Sequence, residues 1–274
     1  MKKIFICISV LLLIIIMVGV IVVRNTIIHV QLPHGAVLHV LPAKNSHSAH
    51  GAVVICPGGG YTYLERWKEG YWWFPFFYGQ GYAVALLEYR MPDHDHTVPL
   101  TDGTDAILMM REHAEEWDFE KNRVGIVGFS AGGHLASTMM VSENDSIRPD
   151  FGILFYPVIS MKKDLTHKGS HDHLLGENAS EQLENQYSNE LHVSSQAPPA
   201  YITLSGDDQK VNPQNSIRFH EEMQAHRCLS TLRVYPTGGH GWGYQYSFPY
   251  HRQMLDELAD WLRKNSNNKQ MGTR

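Results

Sequence analysis

Five residues, Gly128-Phe129-Ser130-Ala131-Gly132, place a serine between two glycines in the pattern G-x-S-x-G. A serine held on a tight strand-to-helix turn exposes its hydroxyl for nucleophilic attack, and its neighbours must be small because the backbone there is strained and crowded. The flanks fit that context. Val124 to Val127 is an apolar β-type run, and a helical stretch follows from Gly133. Gly125-Ile126-Val127-Gly128 does not complete G-x-G-x-x-G, so these glycines are not a dinucleotide fingerprint.

A serine hydroxyl needs a base, and the developing oxyanion needs pre-aimed N–H donors. Of 17 histidines, His240 stands out. It lies in Gly238-Gly239-His240-Gly241-Trp242-Gly243, a loop after the final strand and before the closing helix, where an imidazole can be laid over the serine. The orienting acid is expected after the penultimate strand, where Tyr201 to Leu204 runs into Ser205-Gly206-Asp207-Asp208. Both aspartates are candidates, and Asp207 is preferred, the other then capping the following turn. Pro57-Gly58-Gly59-Gly60-Tyr61 follows an earlier strand and supplies glycines whose N–H groups can turn toward a substrate. The expected oxyanion donors are Gly59, Gly60 and Ala131.

These residues need a scaffold that brings distant loops together. Apolar runs at Gly35–Leu41, Ala52–Cys56, Ala83–Tyr89, Val124–Phe129, Ile153–Tyr156, Tyr201–Leu204 and Leu232–Tyr235 read as strands. Helical patterns occupy Leu100–Trp117, Leu135–Val141, Pro213–Arg227 and Met254–Arg263. Strands that are apolar along their length and alternate with helices imply a mostly parallel α/β sheet covered on both faces. The polar stretch Ser160 to Ser195 interrupts this rhythm and reads as an excursion near the top of the sheet, a partial lid or a long surface connection.

The motifs Cys56-Pro-Gly-Gly-Gly-Tyr61, Glu88-Tyr-Arg-Met-Pro92, Gly125-Ile-Val-Gly-Phe-Ser-Ala-Gly-Gly-His-Leu-Ala136, Asp207-Asp208 and Gly238-Gly-His-Gly-Trp242 together resemble the bacterial α/β-hydrolases of the acetyl-xylan-esterase and feruloyl-esterase-like group. The resemblance runs from about Val37 to Arg263 and includes Arg148-Pro-Asp-Phe151, Tyr187-Ser-Asn-Glu190 and Pro198-Pro199. It implies an α/β-hydrolase fold, with Ser130 as nucleophile, His240 as base and Gly59, Gly60 and Ala131 at the oxyanion positions. Counted from Pro198-Pro199, it sets Asp207 at the acid. It departs from the family where Lys210-Val211-Asn212-Pro213 replaces the usual Val-Pro or Pro-Pro after the acid. The implied chemistry is hydrolysis of small acyl esters, acetyl groups on plant polysaccharides among them.

Ile4 to Val23 carries one polar residue, Ser9, with Lys2 and Lys3 before it and Arg24 after it. Twenty such residues suffice to span a bilayer, and the lysines would stay inside. No small-x-small cleavage site follows, which favours an uncleaved anchor over a cleaved signal. The expected organisation is therefore an anchor or signal segment at 1–25, a hydrolase domain at 26–265 with its catalytic part outside the cytoplasm, and a polar tail at 266–274. The formal net charge of -5, without clustered Lys or Arg, argues against a nucleic-acid partner. Nothing has zinc-ligand cysteine spacing, and serine hydrolysis needs no metal or other cofactor. Asp93 to His96, and His167 with His171, Asp172 and His173, could ligate a metal, but such short clusters more often face solvent. Of the aromatic cluster from Tyr61 to Tyr78, most of Trp72 to Tyr78 reads as packing, while Tyr61 and Trp242 stand beside catalytic loops and could equally line a pocket.

Overall fold

The computed structural model describes residues 27–43 and 51–271, the last six of these by backbone alone. The expected anchor at 1–25 lies outside the described residues. Among the described residues no helix is long and apolar enough to cross a membrane. In chain order the elements are β1 (Ile28–Gln31), β2 (Val37–Leu41), β3 (Gly51–Cys56), α1 (Phe74–Gly79), β4 (Tyr82–Glu88), α2 (Thr97–Glu112), β5 (Val124–Phe129), α3 (Ser130–Met140), β6 (Phe151–Phe155), α4 (Lys168–Leu175), α5 (Glu181–Gln186), β7 (Ala200–Ser205), α6 (Gln214–Ala225), β8 (Ser230–Tyr235) and α7 (His251–Met271).

The strands form one sheet in the order β1-β2-β4-β3-β5-β6-β7-β8. Pairing is antiparallel at β1–β2 and β2–β4 and parallel from β4 through β8. This is the mostly parallel α/β-hydrolase sheet that the sequence implies. Every residue of β3, β5, β6 and β7 is buried, as expected when helices cover both faces. One face packs Ala106, Ile107 and Met110 of α2, Leu135 and Met139 of α3, and Phe219 and Met223 of α6. The other packs Phe74 and Phe77 of α1 and Met254, Leu258 and Leu262 of α7.

Three elements differ from expectation. Strand β1 is an edge strand whose residues alternate between half-buried and exposed, so it carries no continuous apolar run. Helix α3 begins at Ser130 itself, five residues before the helical pattern, because the turn out of β5 starts the helix through Ala131, Gly132 and Gly133. The final helix continues to Met271, past Arg263 and into the stretch expected as a tail.

The excursion after β6 holds α4, α5 and a 3-10 turn at Asn189–His192. Asn215, buried in the first turn of α6, fastens its start: Oδ1 accepts from the N–H groups of Ile159 and Ser160, and Nδ2 donates to the carbonyls of Leu165 and Asn212. Asn189 fastens its end by donating to Ser137 Oγ, Thr138 Oγ1 and the His134 carbonyl. Buried N–H groups left without acceptors cost roughly 1–3 kcal/mol each. Asn215→Ala is therefore expected to lower unfolding free energy by about 2–4 kcal/mol and to open residues 160–186 to limited proteolysis. Urea denaturation and peptide mapping check both.

Candidate active site

Cys56 pairs with Gly128 in adjacent parallel strands, so the loops leaving β3 and β5 emerge side by side. The loops after β7 and β8 reach the same edge through the register Ser205 to Tyr235. The sheet thus gathers all four sequence motifs at the carboxyl ends of its strands.

Ser130 adopts φ +51°, a left-handed conformation unusual for a residue with a side chain. The turn is tolerated because glycine lets backbones meet there. A Cβ on Gly132 would stand 2.1 Å from the Cys56 carbonyl oxygen, and one on Gly128 would stand 2.6 Å from Ala136 Cβ. This packing brings α3 and the β3 loop against the serine.

His240 lies between two partners. Its Nε2 is 2.8 Å from Ser130 Oγ, and its Nδ1 is 2.7 Å from Asp208 Oδ2. Asp208 is buried, and its other oxygen accepts from the N–H groups of Lys210 and Val211. An ionised carboxylate there makes Nδ1 the donor and leaves Nε2 as an acceptor for the serine proton. The aspartate preferred from the sequence, Asp207, does not meet the imidazole. Its carboxylate turns outward and accepts from the N–H groups of Gly238 and Gly239, at 3.3 and 2.8 Å. Consecutive residues in the turn after β7 point in different directions, so one aspartate meets the imidazole and the other meets the loop that carries it.

The β3 loop places Gly59 and Gly60 at φ +130° and +64°. Among the described residues, neither N–H has an acceptor, while Gly58 N–H is taken by Glu69 Oε2 at 2.9 Å. Ala131 occupies the first turn of α3, where backbone N–H groups lack intrahelical acceptors. Tyr89 donates to the Pro57 carbonyl and steadies this loop from beneath.

Sequence reasoning missed Glu69 and Tyr156. Glu69 is buried, and burial pushes its carboxyl above the ordinary glutamate range. Beyond holding Gly58, it accepts from the Tyr156 hydroxyl at 2.9 Å, and that hydroxyl accepts from Gly243 N–H, three residues past His240. The Tyr156 ring stands edge-on to His240 at 4.8 Å. Glu69 therefore ties the β3 loop to the histidine loop. No motif marks it, because its partners lie 11 and 87 residues away.

His134, in the first turns of α3, is buried. Its Nδ1 faces the Tyr61 hydroxyl at 3.0 Å, and its Nε2 faces the Tyr187 carbonyl at 2.8 Å. A carbonyl can only accept, so Nε2 carries the proton and Nδ1 accepts from Tyr61. Burial pushes its pKa down to about 4. Tyr61 is thus a buried strut. Trp242 is also structural: buried, it stacks on Phe248 with ring centroids 4.1 Å apart and donates to Ser205 Oγ. In the aromatic cluster Trp73, Phe74 and Phe77 are buried, while Tyr63, Trp67, Trp72 and Tyr78 remain exposed.

The two His/Asp clusters pack against each other, with His94 N–H donating to the His173 carbonyl. His171 is buried between Asp172 and Glu184. Among the described residues no group of three or more His, Cys, Asp or Glu side chains converges as a metal site. Cys56 and Cys228 are free thiols.

The BD-FAE family model matches residues 38–223. The chain belongs to the BD-FAE family. Over 216 residues it is 38% identical to an acetylxylan esterase of Xylanibacter ruminicola, covering 77% of this chain and 45% of that protein. Over 212 residues it is 30% identical to endo-1,4-beta-xylanase B of Butyrivibrio fibrisolvens, covering 72% and 33%. The chain thus spans less than half the length of these curated relatives. Among solved structures, the acetyl ester-xyloside bifunctional hydrolase from Caldicellulosiruptor lactoaceticus superposes with a TM-score of 0.77 at 31% identity, covering 83% of this chain and 88% of that one. The BD-FAE match ends at residue 223, before the His240 loop, so the placement of that histidine rests on the geometry above.

Two predictions follow from the positions of Asp208 and His134. Asp208→Asn should slow fluorophosphonate labelling of Ser130 by roughly 10³-fold or more, since an amide can impose the wrong tautomer on His240. Asp207→Asn should stay within about tenfold, and a mass-spectrometric time course separates the two. For His134, the folded pKa lies below the ordinary 6.5. The neutral ring's contribution is full above pH 6.5 and is lost as pH falls toward 4, by up to about 1.4 kcal/mol per unit. His134→Gln should make the decline of unfolding free energy between those pH values shallower than in the unaltered protein, as urea melts would measure.

Proposed function

We propose that this chain is a serine esterase that hydrolyses short-chain acyl esters, acetyl foremost, carried on carbohydrate. The observation that carries the reading is the single imidazole, His240, held within hydrogen-bond reach of both Ser130 Oγ and Asp208 Oδ2. The free N–H groups of Gly59 and Gly60 beside it, with Ala131 N–H, support acyl transfer over other uses of a serine. The acetyl and carbohydrate assignments rest on likeness to the acetylxylan esterase and to the acetyl ester-xyloside hydrolase.

In this mechanism His240 Nε2 takes the Ser130 proton as Oγ attacks the ester carbonyl. Asp208 holds the ring in its Nδ1–H tautomer and stabilises the imidazolium. The N–H groups of Gly59, Gly60 and Ala131 receive the oxyanion, each such donor being worth about 2.7–4 kcal/mol where one has been removed from other acyl-transfer sites. Collapse of the tetrahedral species breaks the bond to the alcohol, which leaves with the proton from His240. Water then attacks the acyl-enzyme, His240 again taking its proton, and the acid departs. The anchor reading of Ile4 to Val23 would place this chemistry outside the cytoplasm.

The test is hydrolysis of p-nitrophenyl acetate, butyrate and octanoate. Acetate should give the highest kcat/KM, and Ser130→Ala should lower kcat by roughly 10⁴-fold or more on every ester. Turnover that persists in the Ser130→Ala protein would rule the reading out.

A further inference from the structure

The excursion after β6 sends one side chain back against the loop that follows β3. His167 stands just before α4, and its Nδ1 accepts from the Ser170 N–H as the helix cap. The Ser170 hydroxyl lies 2.9 Å from the same nitrogen. A backbone N–H can only donate, so Nδ1 of the neutral ring is an acceptor and the ring proton sits on Nε2. Among the described residues Nε2 has no partner. His167 Cε1 lies 3.9 Å from where a Cβ would stand on Gly60, against the oxyanion loop. Burial lowers its pKa below the ordinary histidine value. A fixed N–H donor without a protein acceptor thus sits on a ring packed beside the β3 loop at Gly60.

The acyl oxygen is committed to Gly59, Gly60 and Ala131, and the leaving oxygen must come within reach of His240. We propose that His167 binds the alcohol portion of the ester, its Nε2–H donating to a ring oxygen or neighbouring hydroxyl oxygen of an acetylated sugar and so selecting oxygen-rich alcohols. This rests on the esterase reading above and adds to it the residue that recognises the alcohol.

His167→Asn separates this role from helix capping, because asparagine caps helices well but is too short to present the donor. The assay compares kcat and KM on p-nitrophenyl acetate, acetylated xylooligosaccharide and glucose pentaacetate, with a thermal melt of each protein. His167→Asn should lose roughly fivefold to tenfold in kcat/KM on the acetylated sugar that the unaltered protein cleaves faster. The loss should fall mainly on KM, with p-nitrophenyl acetate within about twofold and the melt unchanged. Ser170→Ala, which leaves the Nε2–H in place, should retain the sugar preference. A parallel loss on p-nitrophenyl acetate, no loss on sugar, or cleavage of p-nitrophenyl acetate with neither sugar turned over would overturn the role of His167. Absence of turnover on all three by the unaltered protein would instead overturn the esterase reading, and this inference with it.

Discussion

A serine held at positive φ on the end of the central strand is the constraint from which the rest of the site follows. That backbone turn aims Oγ out of the sheet and starts α3 immediately, which puts Ala131 N–H beside it. It persists only because the surroundings over-determine it. Gly132 admits the Cys56 and Pro57 carbonyls, Gly128 admits the side of α3, and the Val158 N–H donates to the Ser130 carbonyl. Below the turn Phe129 stacks on Phe155 and packs against Trp73. The strain at one residue is therefore met by a core that cannot relax around it.

Two loops must then keep station against that serine, and a buried carboxyl joins them. Glu69 takes Gly58 N–H from one loop and, through the Tyr156 hydroxyl, Gly243 N–H from the other. The backbone reinforces the link where Tyr244 N–H donates to the Lys68 carbonyl. Donors pre-set in this way need no reorganisation as charge develops, which is where electrostatic catalysis gains most. His134 plays the corresponding part between the β3 loop and the excursion, through Tyr61 and the Tyr187 carbonyl.

The sheet was legible in the sequence because parallel strands buried on both faces leave continuous apolar runs; β1 was not, because an edge strand alternates and is short. That Ser130 and His240 would meet was legible because each sits in a glycine-rich motif. The choice between Asp207 and Asp208 was not, since adjacent residues share every local signal and the difference lies in which carboxylate faces the imidazole across 32 residues. Glu69 and Tyr156 were illegible as site residues for a related reason. Each acquires its role from partners brought by the sheet, and single side chains in turn-rich segments carry no periodicity to mark them.

The central claim, that Ser130 takes the acyl group through His240, is tested most directly by trapping the intermediate. Rapid acid quenching during turnover of an acetyl ester, followed by peptide mapping, should find one acetyl group on the peptide bearing Ser130. The adduct should be missing from the His240→Ala protein. Steady turnover with no acyl adduct at any quench time, or an adduct on a different residue, would contradict the account.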